Sequence, residues 1–540
     1  MTRSAGSPRL RLAAGAPTAR SIIVLALALS SAGCIVRARD IQSVEVDRAA
    51  PPARVTTPVR AHLGDGSVVV FRSGFTLAGD TLEGLAWRHD LTRRDSVRVE
   101  GIALDSVIGL ETFVEGENRS RTLAASIPLS VFGTTAVAGG SILIFKAIFG
   151  SCPTIYSDSG GVALLEAEGF SYSIAPLFEM RDVDRLRAIP DADGVLELEV
   201  RNEALETHYI DHFGVLEVHH AADEWVAPDA HGGAVAIRAL VPPARARDHA
   251  GADVLAIVTH ADGDATRAAA GVLAAAEGDA LQHALELSLP APDADSVALV
   301  LRLRNSLLNT VLLYEFMLDR PGTHALDWLG SELSQPATAL ELGAWYASRM
   351  GLRVQVRDGA AWREVARVGD SGPIAWKDLA LPIPVLERDS LRVRIVQLAD
   401  SWRIDRIAFG LEARRVPARS LQVAEVIGAD GQSDEAAAAA IRAPDRMRLS
   451  TGPGDRFVMR FHTDAPAGDV APGAATARRT FLLDARGYYT EWIRPEWVRH
   501  ATSAGSFHPD DDILVTLVRR WAEVRDDFEL RFFETRVPVR

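Results

Sequence analysis

The chain has 540 residues, enough for about three or four domains of roughly 100 to 200 residues each. Its 48% hydrophobic and 24% charged residues are globular proportions that exclude wholesale disorder. A net charge of −14 disfavours nucleic acid as a partner, and an aromatic share of 6% argues against an aromatic-girdled outer-membrane barrel.

Arg3, Arg9, Arg11 and Arg20 precede an apolar run from Ile22 to Leu29, which closes on Ser31-Ala32-Gly33-Cys34. A charged leader, a short apolar core and small residues before a cut are what export and signal cleavage require. The stretch resembles a bacterial lipoprotein signal, with residues 1–33 removed and Cys34 lipidated. Ser31 departs from the pattern, because such signals usually hold Leu or Val there. Ile35 is not the Asp that signals inner-membrane retention in typical Gram-negative lipoproteins. The resemblance therefore implies a lipid anchor in the outer membrane, with the body periplasmic or surface-facing. It also leaves Cys152 without a disulfide partner, since the chain has only two cysteines.

Residues 34–60 read as a tether, with Pro51, Pro52 and Pro58 opposing both helix and sheet interior. Residues 61–114 alternate short β-type runs with turn signals: Ser67 to Arg72, Gly74 to Leu77, Thr81 to Arg88, Ser96 to Ile102 and Val107 to Phe113. They predict a small barrel similar to SH3-like or Sm-like folds.

The apolar segment 123–149 carries only Lys146 as a charge. From Pro128 it makes a helix of about 22 residues, ~33 Å long, enough to cross a bilayer core. Gly139-Gly140 also allows a re-entrant hairpin, and a helix buried against protein is the third option. The membrane-inserted helix is the expectation.

Residues 151–325 read as a β-sandwich region. Val195 to Arg201 alternates apolar and charged residues, and Phe213 to His219, Val254 to Val258, Leu285 to Leu289, Ser296 to Arg304 and Val311 to Leu318 are further expected strands. Residues 326–350 switch to helical spacing and form a connector. Residues 351–415 return to strands, where Trp362 and Trp402-Arg403-Ile404-Asp405 give a resemblance to galactose-binding-like jelly rolls. Residues 420–540 are expected to be a C-terminal β region ending in a strand from Phe528 to Val537, with a short helix at Ala436 to Ala440.

Several constellations bear on chemistry. Ser157-Asp158-Ser159-Gly160-Gly161 is compared with the nucleophile motif of chymotrypsin-like proteases, but too little chain precedes it for their two barrels, so a hairpin turn is expected. His208, Asp211, His212, His219 and His220 form the densest set of metal-ligand types. On a strand His208 and His212 stand about 13 Å apart, too far to share an ion, so no metal is expected. Glu166 and Glu168, at i and i+2, fall on one strand face about 6.6 Å apart, a spacing that glycoside hydrolysis can use. Asp510-Asp511-Asp512 and Asp262-Gly263-Asp264 lack the full ligand spacing of a Ca²⁺ loop.

Tyr488, Trp492 and Trp497 are the candidate ligand-binding residues, because alternation places Tyr488 and Trp492 on one face where rings stack on a sugar or anchor a protein. Core packing uses the same pattern. No catalytic residue and no cofactor is assigned.

The whole arrangement resembles bacterial envelope lipoproteins that carry no assigned activity: a small β domain, an apolar segment, then Ser151-Cys152-Pro153-Thr154-Ile155-Tyr156-Ser157 opening a long β region. The expected fold is mainly β, several small antiparallel barrels or sandwiches with one membrane-type helix and a short helical connector. The expected role is a membrane-anchored protein that binds a glycan or another envelope protein without catalysis. A carboxylate-dependent polysaccharide hydrolase and a structural subunit of a transport or assembly complex are the alternatives.

Overall fold

The computed structural model describes residues 52–90, 96–113, 153–290, 292–463, 478–499 and 505–534, with 536, 537 and 539. Cys34, Cys152, the leader, most of the tether and the apolar segment 123–149 lie outside the described residues. Among the described residues, no helix is long and apolar enough to cross a membrane.

The chain is mainly β, and its paired strands are antiparallel. Among the described residues five sheets form: one of seven strands near the N-terminus and four of five strands each. The N-terminal sheet runs from Ala53–Val55 to Val107–Thr112; its strands from Val68 on fall where alternation predicts them, whereas Ala53–Val55 and Val59–Leu63 make strands within or starting in the stretch read as a tether, because pairing with Phe75–Ala78 and Val68–Phe71 supplies the ladder that Pro52 and Pro58 leave intact beside them. Val59, Ala61, Val69, Phe71, Leu82 and Leu110 are fully buried on its inner face.

The four remaining sheets stack face to face. The first holds Thr154–Asp158, Ala163–Glu168, Val195–Arg201, Glu425–Gly428 and Arg456–His462. The second holds Met180–Arg185, Glu206–His220, Arg419–Gln422, Leu449–Thr451 and Arg478–Glu491. Between them Leu198, Val200, Phe213, Val215, Met459, Phe461 and Leu483 close one core. The third sheet (Trp225–Pro228, Ala234–Val241, Ser296–Asn305, Lys377–Pro384, Trp402–Arg415) faces the fourth (Arg245–Arg247, Gln282–Pro290, Leu352–Asp358, Ala361–Val368, Ser390–Leu398) across a second core. Val183, Leu216, Val218 and Leu482 of the second sheet pack on Val226, Ala234 and Ala236 of the third.

One sandwich is therefore nested inside the other in sequence. The strand Glu206–His220 pairs along its length with Arg478–Glu491, and every named strand between 225 and 415 belongs to the inner sandwich. No turn interrupts Glu206–His220. A bulge at Asp211, between Ile210 and His212, keeps one continuous strand of 15 residues, preceded by a bend at Ala204 and Leu205.

Three expected strands are not strands. Val254 to Val258 is a hydrogen-bonded turn, started by the Asp253 side chain, which accepts from the Leu255 amide at 3.0 Å. Val311 to Leu318 is helical, spanning Leu308–Val311 and the wide-turn helix Leu312–Asp319; its residues are apolar on nearly every side, so periodicity could not separate helix from strand. Phe528 to Val537 largely belongs to the helix Asp512–Glu534. Phe528, Leu530 and Phe532 alternate like a strand, but Phe528 and Phe532 stack one helical turn apart at 6.4 Å while Leu530 points to solvent, 58% exposed.

The longer helices form a layer of their own. Leu308 to Arg349 and the C-terminal helix share a core with the N-terminal sheet. Gly330 marks the closest approach: a Cβ there would sit 2.2 Å from Thr57 Cγ2 and 2.9 Å from Thr112 Cβ. Beside it Asp327 Oδ1 accepts from the amides of Thr56 and Thr57 at 3.0 and 2.9 Å, fixing the first strands to this layer. From the other side Trp521, fully buried, donates its indole N–H to Asp400 Oδ2 at 2.8 Å.

Candidate functional site

The aromatic candidates lie inside. Tyr488, Trp492 and Trp497 are 8%, 6% and 7% exposed. Tyr488 stacks on Tyr209 at 4.8 Å, and Trp492 stacks on His62 at 3.7 Å while its indole N–H donates to Thr207 Oγ1 at 2.9 Å. Trp497 packs against Tyr314 at 5.4 Å. Their rings join the N-terminal sheet and helical layer to the outer sandwich, which consumes the faces a sugar would need.

The metal-ligand types are dispersed along one strand. His208 hydrogen-bonds Glu206 at 2.7 Å, His212 meets the Ile441 carbonyl at 3.0 Å, and His220 meets Thr480 Oγ1 at 2.9 Å. Asp211 accepts from the Arg446 amide at 2.6 Å. Among the described residues no three His, Cys, Asp or Glu side chains are grouped to hold a metal ion. Asp511 makes a two-pronged pair with Arg349 at 2.7 and 2.6 Å, and Asp262 and Gly263 donate their amides to Asp405. The Ser157 to Gly161 stretch is a hairpin turn, with φ of +66° and +88° at Gly160 and Gly161.

The two glutamates of one strand diverge in their partners. Glu166 accepts from Ser157 Oγ at 2.7 Å and the Arg187 amide at 2.6 Å. Glu168 reaches the inner sandwich, where Oε2 accepts from the amides of Ile374 and Ala375 at 2.8 and 3.2 Å. Burial, with Asp370 nearby, raises Glu168 to about 8 despite those amides.

Glu168 belongs to a seam of buried acids that sequence order conceals. Glu206 and Glu491 are direct cross-strand partners, 0% and 2% exposed. Burial raises Glu206 well above the carboxylate range, with Glu491 and Glu168 adding repulsion. Burial lifts Glu491 to about 7, opposed by Arg494 and the Tyr314 hydroxyl. The same burial lowers His208 to about 3, so a neutral imidazole faces a protonated Glu206. Farther along, Lys377 supplies a buried cation, meeting Asp182 and Asp184 at 2.6 and 2.8 Å. Only the Glu206 to Glu491 register, across more than 280 residues, brings these acids together; no local signal marks it.

A depression of about 480 Å³ on the N-terminal sheet is lined by Leu63, Asp65, Arg88, Ile102, Asp105 and Ile108, where Arg88 is paired with Asp65.

No family model matches the chain, and no curated protein matches it. Among solved structures, an exo-β-1,3-galactanase from Phanerochaete chrysosporium is 8% identical, with 64% of this chain and 66% of that one covered, at a TM-score of 0.15. A cycloalternan-forming enzyme from Listeria monocytogenes is 12% identical over 67% and 29% of the two chains, at 0.15. A GH31 α-xylosidase from Xanthomonas citri is 10% identical over 82% and 38%, at 0.16. The chain spans under two thirds of each of these proteins. Likeness at this level supports neither a shared fold nor shared chemistry.

Proposed function

We propose that the protein is a lipid-anchored component of a bacterial cell envelope, held at the outer membrane through Cys34, that binds a glycan or another envelope protein without catalysis. One observation supports the non-catalytic part above the others. The acids with displaced protonation, Glu168, Glu206 and Glu491, are at most 2% exposed and walled in by strands of both sandwiches, so no substrate reaches them. Their arrangement holds protons and packs sheets; it does not present an acid and a base to solvent.

The anchor rests on the leader and Cys34, and the apolar segment 123–149 is a second membrane contact in the same proposal. Mass spectrometry of the mature N-terminus tests it together with protease accessibility of whole cells. A diacylated Cys34 as first residue is the expected result; retention of Met1, or a mature N-terminus that carries no acyl group, would sink it.

A polysaccharide hydrolase has one observation in its favour: Glu168 at about 8 and Glu491 at about 7 are protonated or half-protonated near neutral pH, as a general acid must be. Release of reducing sugar from envelope polysaccharide, lost in Glu491→Gln, would favour that reading. Co-purification of a stable partner after detergent extraction would favour a subunit of a transport or assembly complex.

A further inference from the structure

We infer that the face of the third sheet turned toward the second carries a binding site for an anionic group, built from Arg185, Arg302 and Arg406 around Asp378 and suited to a carboxylate-bearing polysaccharide. The inference deepens the glycan-binding reading above and rests on it for the identity of the ligand, but not for the site.

Three neighbouring strands set the geometry. Arg302 lies directly opposite Arg406 on one side and directly opposite Asp378 on the other, so the three form a single cross-strand row. Two arginines directly opposite each other are destabilising unless something compensates them. The sheet curls, bringing Trp225–Pro228 near Lys377–Pro384, and Met180–Arg185 of the second sheet approaches both. Arg185 thereby becomes the third guanidinium at the row.

The local compensation is incomplete. Arg185, Arg302 and Arg406 approach Asp378 at 3.9, 3.6 and 3.7 Å, all beyond hydrogen-bonding distance. Asp378 Oδ1 and Arg406 Nε are buried and find no hydrogen-bond partner among the described residues. Arg302 spends its Nε on Asp405 at 2.7 Å, and Arg185 spends its Nε on the Val226 carbonyl at 2.9 Å. Terminal N–H groups of three guanidiniums thus converge on one carboxylate that none of them holds closely.

Tryptophans orient the guanidiniums. Arg185 and Arg406 lie 5.2 and 5.3 Å from the Trp225 ring centre, and Arg302 lies 5.8 Å from that of Trp376. Stacking fixes the planes and leaves the N–H edges as the donors. The site is open enough to be reached, because the three arginine side chains keep 23%, 20% and 23% of their exposure. Burial lowers the Arg185 pKa, Asp378 opposes that, and Arg406 and Arg302 add repulsion. A bound anion relieves that repulsion, and a carboxylate or phosphate accepts two parallel N–H bonds from a guanidinium. The half-buried edges of Trp225 and Trp376 give a sugar ring an apolar wall.

The test is titration calorimetry of the full-length, detergent-solubilised protein with oligogalacturonate, with neutral maltoheptaose and inorganic phosphate as separate arms. Oligogalacturonate should bind and weaken with added salt, and maltoheptaose should not bind. Arg406→Gln and Arg185→Gln should each lose about tenfold or more in affinity with unchanged thermal unfolding, and Arg406→Lys should recover part of it. Equal affinity for maltoheptaose, or oligogalacturonate affinity unchanged in both glutamine variants, would overturn the site. Phosphate binding without oligogalacturonate binding would overturn the carboxylated ligand in favour of a phosphate group. None of these readouts depends on Cys34, so a failed anchor and a failed anion site are seen separately.

Discussion

The acid seam and the arginine row are both like-charge assemblies at the heart of stacked sheets, and they are relieved in opposite ways. A buried carboxyl can surrender its charge by keeping a proton, and Glu206, Glu491 and Glu168 do so, with all three raised. Arginine has no such exit, because guanidinium stays protonated in proteins. Arg302 and Arg406 therefore sit where about a fifth of each side chain still meets solvent, whereas the seam closes completely. The contrast teaches that closure follows from titratability: residues that neutralise themselves can be sealed in, and residues that cannot must keep water or a counter-ion.

The sharpest way to break the contrast is to remove a cation sealed in with two acids. Lys377 is 3% exposed and holds both Asp182 and Asp184. Lys377→Met should leave two buried carboxylates uncompensated and cost about 3 to 5 kcal/mol in urea unfolding. A midpoint that does not move would show that the seam tolerates charge and would remove the basis of the comparison.

The pH dependence of stability comes next. Glu168 and Glu491 have folded pKa values near 8 and 7, above the ordinary 4.5, so the native state binds protons that the unfolded state has already released. Their contribution is fully present below about pH 4.5 and is lost as pH rises toward 8, with a slope of at most about 1.4 kcal/mol per pH unit for each proton. His208, lowered to about 3 from 6.5, acts the other way: its contribution is present above pH 6.5 and lost as pH falls toward 3. Glu168→Gln should flatten the decline between pH 5 and 8 while leaving the acid limb alone. Parallel curves for the variant and the parent chain would show that Glu168 is ionised throughout.

A smaller effect belongs to the helix Glu435–Ile441. Asp434 caps it by accepting from the Ala437 amide at 2.9 Å. Asp434→Ala should cost about 1 kcal/mol in urea unfolding, because the cap satisfies an amide that no intrahelical carbonyl reaches.

How much of this was legible follows from the range of each interaction. The N-terminal strands from Val68 on and Val195–Arg201 were readable, because alternation between a wet and a dry face is a property of consecutive residues. The hairpin at Gly160-Gly161 was readable for the same reason. The helix Asp512–Glu534 had a local signal that the alternation of Phe528, Leu530 and Phe532 masked: Leu514, Leu517, Val518 and Trp521 recur every three or four residues. The ladder joining Glu206–His220 to Arg478–Glu491 had none, and with it went the buried acids and the enclosure of Tyr488, Trp492 and Trp497. The arginine row was hidden likewise, since Arg302, Asp378 and Arg406 meet only through strand register.

The smallest expected effect marks the edge of the comparison, where charge meets solvent freely. Glu286 and Arg394 are cross-strand partners on the fourth sheet, with an N···O distance of 2.7 Å. Their side chains keep 51% and 30% of their exposure, so water screens the pair and ordering two long side chains offsets much of the attraction. Arg394 also lies over the Trp362 ring at 4.3 Å, a contact that survives loss of the carboxylate. Glu286→Gln should therefore change the unfolding free energy by less than about 0.5 kcal/mol, and the residual difference should vanish at about 1 M salt. If it instead approached the cost of Lys377→Met, solvent access could not be what separates the row from the seam.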